Sequence, residues 1–303
     1  MSGGTYYVPE QSKLPIFASF GLFLTVFGAA NWMNGNSSGP WLFFAGGLTF
    51  AAVLWNWFSI VISENMAGLN SPQLKRSYVI GMGWFIFSEV MFFAAFFGAL
   101  FYIRALALPW LAGEGDGVDN VLLWPGFANE WPLMTTPDMA ANAENAIKVG
   151  PEAAMSWPGF GGLFSWLPFW NTVVLLSSSV TVHFAHTAIK NNNRKQFNIM
   201  LGVTVLLGFI FLFLQAEEYI HAYQELGLTL QSGIYGTTFF MLTGFHGAHV
   251  TMGTIMLLVM WLRSVLKGHF KPDDNFGFEA ASWYWHFVDV VWVGLFFVVY
   301  VFG

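Results

Sequence analysis

Residues 84–101 read WFIFSEVMFFAAFFGALF. As a helix this stretch is about 27 Å long, close to the ~30 Å hydrocarbon core of a bilayer. Its only ionisable group is Glu89, and it lacks the polar face that a helix on a soluble domain turns to water. Extended to its apolar limits, the run predicts a transmembrane helix from Tyr78 to Ile103. Six more runs read the same way: Leu14 to Trp32, Pro40 to Ile62, Leu167 to Ile189, Phe197 to Gln215 (reaching toward Tyr223), Tyr235 to Leu262 and Phe278 to Val301. The expected fold class is an all-α membrane protein with seven transmembrane helices.

Composition agrees. Of 303 residues, 56% are hydrophobic, 19% aromatic and only 9% charged, where soluble domains carry about 25% charged residues. The absence of cysteine excludes disulfides, thiolate metal sites and cysteine nucleophiles together. A net charge of −6 gives no reason to expect nucleic acid as a partner. The opening MSGGTYYVPEQSK has one lysine and no arginine and precedes a run long enough to span. Neither a cleavable signal peptide nor a transit peptide is expected from it.

The organisation that follows is a tail over residues 1–13, two spans within 14–62, a connection over 63–77, the third span over 78–103, a long polar connection over 104–166, and four spans within 167–303. The long connection is rich in Gly, Pro, Asn and acids and predicts one short helix near Asp138 to Ile147. No internal repeat is visible, which argues against inverted-repeat transporters. Nine of the eleven basic residues fall in the tail or in the connections on its side, leaving only Arg104 and Lys148 for the other. The opposite side collects acids, among them Glu114, Asp119, Glu144 and the Glu217/Glu218 pair. The positive-inside bias predicts a cytoplasmic N-terminus, and the odd number of spans an outer C-terminus.

Ionisable groups inside a bilayer are costly, so each is a candidate site. Glu89 lies eleven residues beyond Tyr78, or ~16 Å at helical rise, near the midplane. A neutral carboxyl there can donate one hydrogen bond and accept others. It reads either as a proton carrier or as a hydrogen bond across a helix contact. The histidines come in pairs three residues apart, His183/His186 and His246/His249, and His286 stands three residues before Asp289. That spacing places both members on one helix face, which permits haem or metal ligation and equally permits hydrogen bonds between helices. A di-iron site wants two Glu-x-x-His motifs with two further glutamates; only Glu218/His221 fits, so no metal site is expected. No phosphate loop or nucleophile elbow is present. The pairs Ala94/Gly98, Ala95/Ala99 and Gly244/Ala248 predict close helix contacts, and Trp55/Trp57 and Trp283-Tyr284-Trp285 predict interfacial belts.

Five strings point to a family. FGFEAASWYWHFVDVVW (276–292) and TTFFMLTGFHGAHV (237–250) resemble signatures of subunit III of haem–copper cytochrome c oxidases. FIFSEVMFF around Glu89, FLQAEEY (213–219) and NTVVLLSSSVTVHFAH (171–186) do so too, in the family's order. The resemblance implies seven helices in a two-helix plus five-helix arrangement, with a V-shaped, lipid-holding cleft between them. It implies a chain without catalytic residues, metal or redox cofactor of its own, with haem and copper on partner subunits I and II and cytochrome c as donor to the complex. Presence of the first two helices favours a cytochrome c oxidase over a quinol oxidase, and the long connection resembles bacterial members. Glu89 matches the family's buried, carbodiimide-reactive glutamate, Trp57 and Glu64 match positions near bound phospholipid, and Arg263 matches a lipid-phosphate arginine. His183, His186, His246, His249, Glu279, His286 and Asp289 lie within or beside the signatures and read as polar contacts between helices.

The function so implied is a core subunit of a proton-pumping aa3-type oxidase in a bacterial inner membrane, binding phospholipid and supporting proton uptake into subunit I. The residues alone leave a stand-alone proton-coupled transporter using Glu89, a quinol oxidase subunit III and a haem-binding enzyme using the paired histidines as alternatives.

Overall fold

The computed structural model describes residues 11–117 and 119–303, so the first ten residues of the expected tail lie outside it. The helices are α1 (Leu14–Met33), α2 (Gly39–Met66), α3 (Pro72–Tyr102), α4 (Leu108–Leu111), α5 (Asn120–Leu123), α6 (Pro137–Ala141), α7 (Leu167–Lys190), α8 (Arg194–Glu225), α9 (Gly233–Lys267) and α10 (Phe276–Leu295). Seven of these helical segments are long and apolar enough to cross a bilayer among the described residues. The chain is a multi-pass, all-α membrane protein.

Helix ends follow local chemistry. Proline occupies the first turn of α1, α2 and α7, where its missing N–H costs no hydrogen bond. Asn193 caps α8 by accepting from the Gln196 amide at 3.1 Å. Gly268, at φ 63°, ends α9 in the left-handed conformation, and the Gly268 and His269 amides bond back to the Ser264 and Arg263 carbonyls.

Two compact units divide inside α3, one ending at Gly81 and the other running from Met82 to Gly303. In the first, α1 and α2 form an antiparallel pair whose backbones nearly touch. A Cβ added to Gly28 would lie 2.2 Å from the Phe43 amide nitrogen, and one on Gly46 would lie 2.4 Å from that of Thr25. Glycine is required there by proximity.

In the second unit α10 is the most enclosed helix. Trp285, Trp292, Tyr284 and Tyr300 are fully buried, and the two indoles are satisfied by hydroxyls of α7: Trp285 Nε1 donates to Ser178 Oγ at 2.9 Å and Trp292 Nε1 to Thr172 Oγ1 at 3.0 Å. The expected belt at Trp283-Tyr284-Trp285 is thereby corrected. Consecutive helix residues point about 100° apart, so only Trp283 faces out, at 37% exposure. The contacts expected at Ala94/Gly98 and Ala95/Ala99 are corrected too: all four residues are exposed, and nothing lies within 4 Å of a Cβ built on Gly98.

The third span extends past the expected Ile103. A π-helical turn at Ile103–Ala107 leads into α4, as expected where Pro109 removes an amide and crowds the carbonyl four residues earlier. The connection beyond is held against the bundle. Phe127, Leu133 and Met155 are buried, the Met155 amide donates to Tyr235 Oη at 3.0 Å, and Arg104 donates to the Phe302 carbonyl at 2.8 Å while lying over the Trp131 ring. The short helix expected near Asp138 to Ile147 is α6, capped by Thr136, and α5 is a further short helix that was not expected.

Candidate functional site: buried acids and histidines between helices

α3 and α9 bring Glu89 and His249 together. Glu89 Oε2 lies 2.9 Å from His249 Nε2, with the side chains 22% and 8% exposed. His249 Nδ1 lies 2.6 Å from the Phe245 carbonyl. A carbonyl only accepts, so Nδ1 carries hydrogen. One proton then lies between Nε2 and Oε2, either as carboxylic acid with imidazole or as carboxylate with imidazolium. Both forms are neutral as a pair, which is what a low-dielectric interior favours. Phe93 stands edge-on to the imidazole at 4.8 Å between ring centres, and Tyr284 stacks on it at 6.3 Å. Glu89 is thus a hydrogen bond between helices and, in the same geometry, a group sharing a proton.

His246, three residues before His249, points to a different partner. It is fully buried beside Trp292, and its Nε2 meets the Val288 carbonyl of α10 at 3.1 Å, while Nδ1 is buried without a partner among the described residues. The two imidazoles are spent on separate helices and do not converge. Among the described residues no group of three or more His, Cys, Asp or Glu side chains comes together.

α7 and α10 share two further clusters. His186 Nε2 lies 3.2 Å from Glu279 Oε1, which also receives Lys190 Nζ at 2.5 Å. Deeper in, Ser179 donates to Asp289 Oδ2 and sits 3.1 Å from His286 Nδ1. His183 is the exception. Its ring is exposed and makes no hydrogen bond among the described residues. The α7 face that meets its neighbours runs through Val182, Ala185 and Ile189, and His183 lies outside it, so the expected polar contact is corrected at this position.

One acid escaped sequence reasoning. Glu218 is placed by charge counting with Glu217 on the outer aqueous side, yet it is fully buried. It accepts from Tyr300 Oη at 2.5 Å and from Asn171 Nδ2 at 3.1 Å, tying α8 to the chain's last turn and to α7. Glu217 remains exposed. The signal was available in the buried stripe of α8 (Gly208, Phe211, Gln215, Glu218 and Ala222), whose three- and four-residue steps put Glu218 on the core side.

Of the positions matched to bound lipid, Trp57 is 36% exposed and Glu64 half-buried, seven residues apart on one face of α2. Arg263 lies over the Phe270 ring at 4.7 Å and donates over long distances, 3.4 Å to His269 Nδ1 and 3.5 Å to Met260 Sδ. His269, in the turn after α9, is held below its ordinary value by burial and then by Arg263, Lys267 and Arg194, so its ring can accept from Arg263.

These clusters sit on the very strings singled out in the sequence, and comparison with known proteins agrees. The family model described as cytochrome c oxidase subunit III matches residues 4–113 and 140–303. The chain belongs to the cytochrome c oxidase subunit III family. This subunit III is 37% identical over 299 residues to the cytochrome c oxidase subunit 3 of Prototheca wickerhamii, covering 98% of this chain and 97% of that one. It is 35% identical to the probable cytochrome c oxidase subunit 3 of Rickettsia felis, over 98% and 95% of the two chains, and 35% identical to the cytochrome c oxidase subunit 3 of Struthio camelus, over 99% and 97%. As a subunit III the chain is part of an oxidase complex. The stretch the family model leaves out, 114–139, lies in the long connection, where extra chain is tolerated most easily.

Proposed function

We propose that this subunit III is the non-catalytic core subunit of a proton-pumping aa3-type cytochrome c oxidase in a bacterial inner membrane. It binds the haem- and copper-bearing subunits I and II, in a complex that passes electrons from cytochrome c to oxygen. The observation that carries the reading is the Glu89–His249 pair. At mid-depth an acid and a base are spent on joining α3 to α9, which suits a scaffold that holds a proton in place. Support of proton uptake into subunit I would draw on that shared proton.

The N-terminus is cytoplasmic and the C-terminus periplasmic in this reading. Supporting it, the α7–α8 and α9–α10 turns carry Lys190, Arg194, Lys195 and Lys271 and are tied together by Arg194, which donates to the His269 and Phe270 carbonyls at 2.7 Å each. Phospholipid contacts Trp57, Glu64 and Arg263. The long, weak bonds of the Arg263 guanidinium leave it able to take a phosphate oxygen.

Pull-down in mild detergent with an optical spectrum tests the reading. Haem a and copper should co-purify in a partner, and the chain alone should be colourless. A stoichiometric Soret band on the isolated chain would assign a haem enzyme, solute movement by the chain alone in liposomes a transporter, and quinol rather than cytochrome c oxidation a quinol oxidase. Arg263→Ala should lower the phospholipid retained by the complex in mass spectrometry; unchanged lipid would remove Arg263 from the site.

A further inference from the structure

Glu218 and Tyr300 form a pair that the scaffold reading does not use. The Tyr300 phenol donates to Glu218 Oε1 at 2.5 Å, and Asn171 Nδ2 donates to Oε2 at 3.1 Å. All three side chains are fully buried. Both carboxyl oxygens accept, which is the arrangement of a carboxylate, and neither bond comes from a cation. The other fully buried phenols differ. Among the described residues, Tyr235 Oη accepts from the Met155 amide and Tyr284 Oη reaches the Met252 thioether at 3.8 Å. Of the three, Tyr300 has a base on its hydroxyl.

A phenol that loses one electron becomes a very strong acid. It gives up the electron readily only where a base takes the proton at once. Glu218 is placed to do so. If the proton crosses to Oε1 as the electron leaves, phenol and carboxylate become a neutral phenoxyl radical and a neutral carboxylic acid. One buried negative charge is thereby removed, and an isolated charge is costly in an apolar interior. The new O–H donates back to the phenoxyl oxygen, so no heavy atom has to move.

Rings connect this pair to the long polar connection. Trp166 stands edge-on to Tyr300 at 6.1 Å between ring centres, and Trp157 stands edge-on to Trp166 at 5.4 Å. Trp166 is buried and Trp157 half-buried. With no cysteine in the chain, indoles and phenols are the side chains most readily oxidised by one electron.

We propose that Trp157, Trp166 and Tyr300 form a one-electron oxidation path ending in a tyrosyl radical at Tyr300, with Glu218 as proton acceptor. The oxidant is a one-electron species at the long connection, such as a peroxide-derived radical, and is itself reduced. It takes an electron from Trp157, which is refilled from Trp166, and Trp166 is refilled from Tyr300. The Tyr300 O–H bond breaks and an O–H bond forms on Glu218. A one-electron reductant of the ascorbate class returns the electron along the same rings, and Glu218 returns the proton. The path goes beyond the scaffold role and needs no partner subunit.

Flash-quench oxidation of the purified full-length chain tests the proposal. Photogenerated tris-bipyridyl ruthenium(III) supplies the oxidant, and electron paramagnetic resonance reads the radical. The wild-type chain should give a persistent tyrosyl signal that narrows when the protein carries ring-deuterated tyrosine. Tyr300→Phe and Glu218→Gln should each lower it about tenfold or more, since a charge-assisted partner is worth at least the ~1.4 kcal/mol that a factor of ten represents. Glu218→Gln separates the two roles, because its amide oxygen still accepts from the phenol but takes no proton. Trp166→Phe, outside that bond, should slow formation of the signal by a similar factor. Tyr284→Phe should keep the wild-type signal, and circular dichroism should be unchanged in all four. A wild-type signal in Tyr300→Phe or Glu218→Gln would reduce the pair to a structural bond and overturn the path. An unchanged rate in Trp166→Phe, or loss of the signal in Tyr284→Phe, would overturn the route to Tyr300. None of these outcomes depends on recovering a haem-bearing partner.

Discussion

The α1–α2 pair and the α7–α10 bundle join helices in opposite ways. Between α1 and α2 side chains are removed. Gly21, Gly28 and Gly46 let the backbones meet, and the hydroxyls of Ser19, Thr25 and Thr49 turn back onto carbonyls of their own helices. In the bundle side chains are added, as buried indoles, phenols and carboxyls bonded across helices. Lipid supplies no hydrophobic force to press helices together, so contacts must come from close packing or from polar bonds. The first unit joins its helices by backbone contact; the second joins them by bonds between side chains, with Gly208 and Gly253 making room for the Trp285 ring. The first makes a contact that any added atom disrupts, and the second one that tolerates isosteric change but not a lost partner.

The largest expected effect is at the closest approach. Gly28→Val places carbon against the Phe43 backbone, which cannot rotate away. Destabilisation of about 3 kcal/mol or more is expected in detergent-titrated unfolding, the upper range for overpacking. An effect below about 0.5 kcal/mol, typical of an exposed site, would break the comparison. Ala94→Leu, on an exposed face of α3, is expected to stay within that bound and serves as its control.

Next comes Glu218→Leu, which strips the acceptor from Tyr300 and Asn171 at once. A loss of about 2 kcal/mol is expected, together with faster hydrogen exchange in the last turn of the chain. Glu218→Gln should recover part of it, because the amide oxygen still accepts from Tyr300. Equal losses in both variants would mean that charge, not the bond, holds the site.

Glu89→Gln is expected to be milder. The amide N–H₂ can donate to His249 Nε2, so the bond between α3 and α9 survives while the shared proton is lost. Stability should change by less than about 1 kcal/mol, with assembly and initial oxygen reduction near wild type. Near-complete loss of turnover in an assembled Glu89→Gln complex would make Glu89 an obligate proton relay.

The smallest effect lies in the long connection. Asp138 accepts from the Ile147 and Lys148 amides at 2.8 and 2.9 Å, and the Lys148 bond above all holds its carboxyl below the ordinary value of 3.8. The folded value is depressed, so this contribution is fully present at neutral pH and is lost as pH falls below that ordinary value. Protection of the Ile147 and Lys148 amides, measured against their intrinsic exchange at each pH, should fall in that window and already at neutral pH in Asp138→Asn. Unaltered exchange in the variant would remove the loop from the ordered part of the molecule.

Much of this was legible in residue order. The spans, their odd number and most of the ionisable groups that bond between helices follow from the rarity of such groups in hydrocarbon; the hydroxyls and amides that do the same, such as Ser178, Thr172 and Asn171, carry no such signal. Glu89, His186, His246, His249, Glu279, His286 and Asp289 are all conspicuous for being there. Glu218 was less so, because an acid near a helix end has an aqueous explanation that charge counting prefers. The aromatic triplet and the small-residue pairs of α3 misled for a related reason. Their composition suits a lipid interface or a helix contact, but the direction in which each side chain points depends on which neighbour arrives.

Length and apolarity are local properties. A run of eighteen apolar residues must span wherever it is placed, because its amides can be satisfied in lipid only by its own carbonyls. Pairing is not local. His246 and His249 are three residues apart on one helix, yet one meets a carbonyl of α10 and the other a carboxyl of α3. Only the packing of three helices decides that the two rings serve as separate bonds and not as a common pair of ligands.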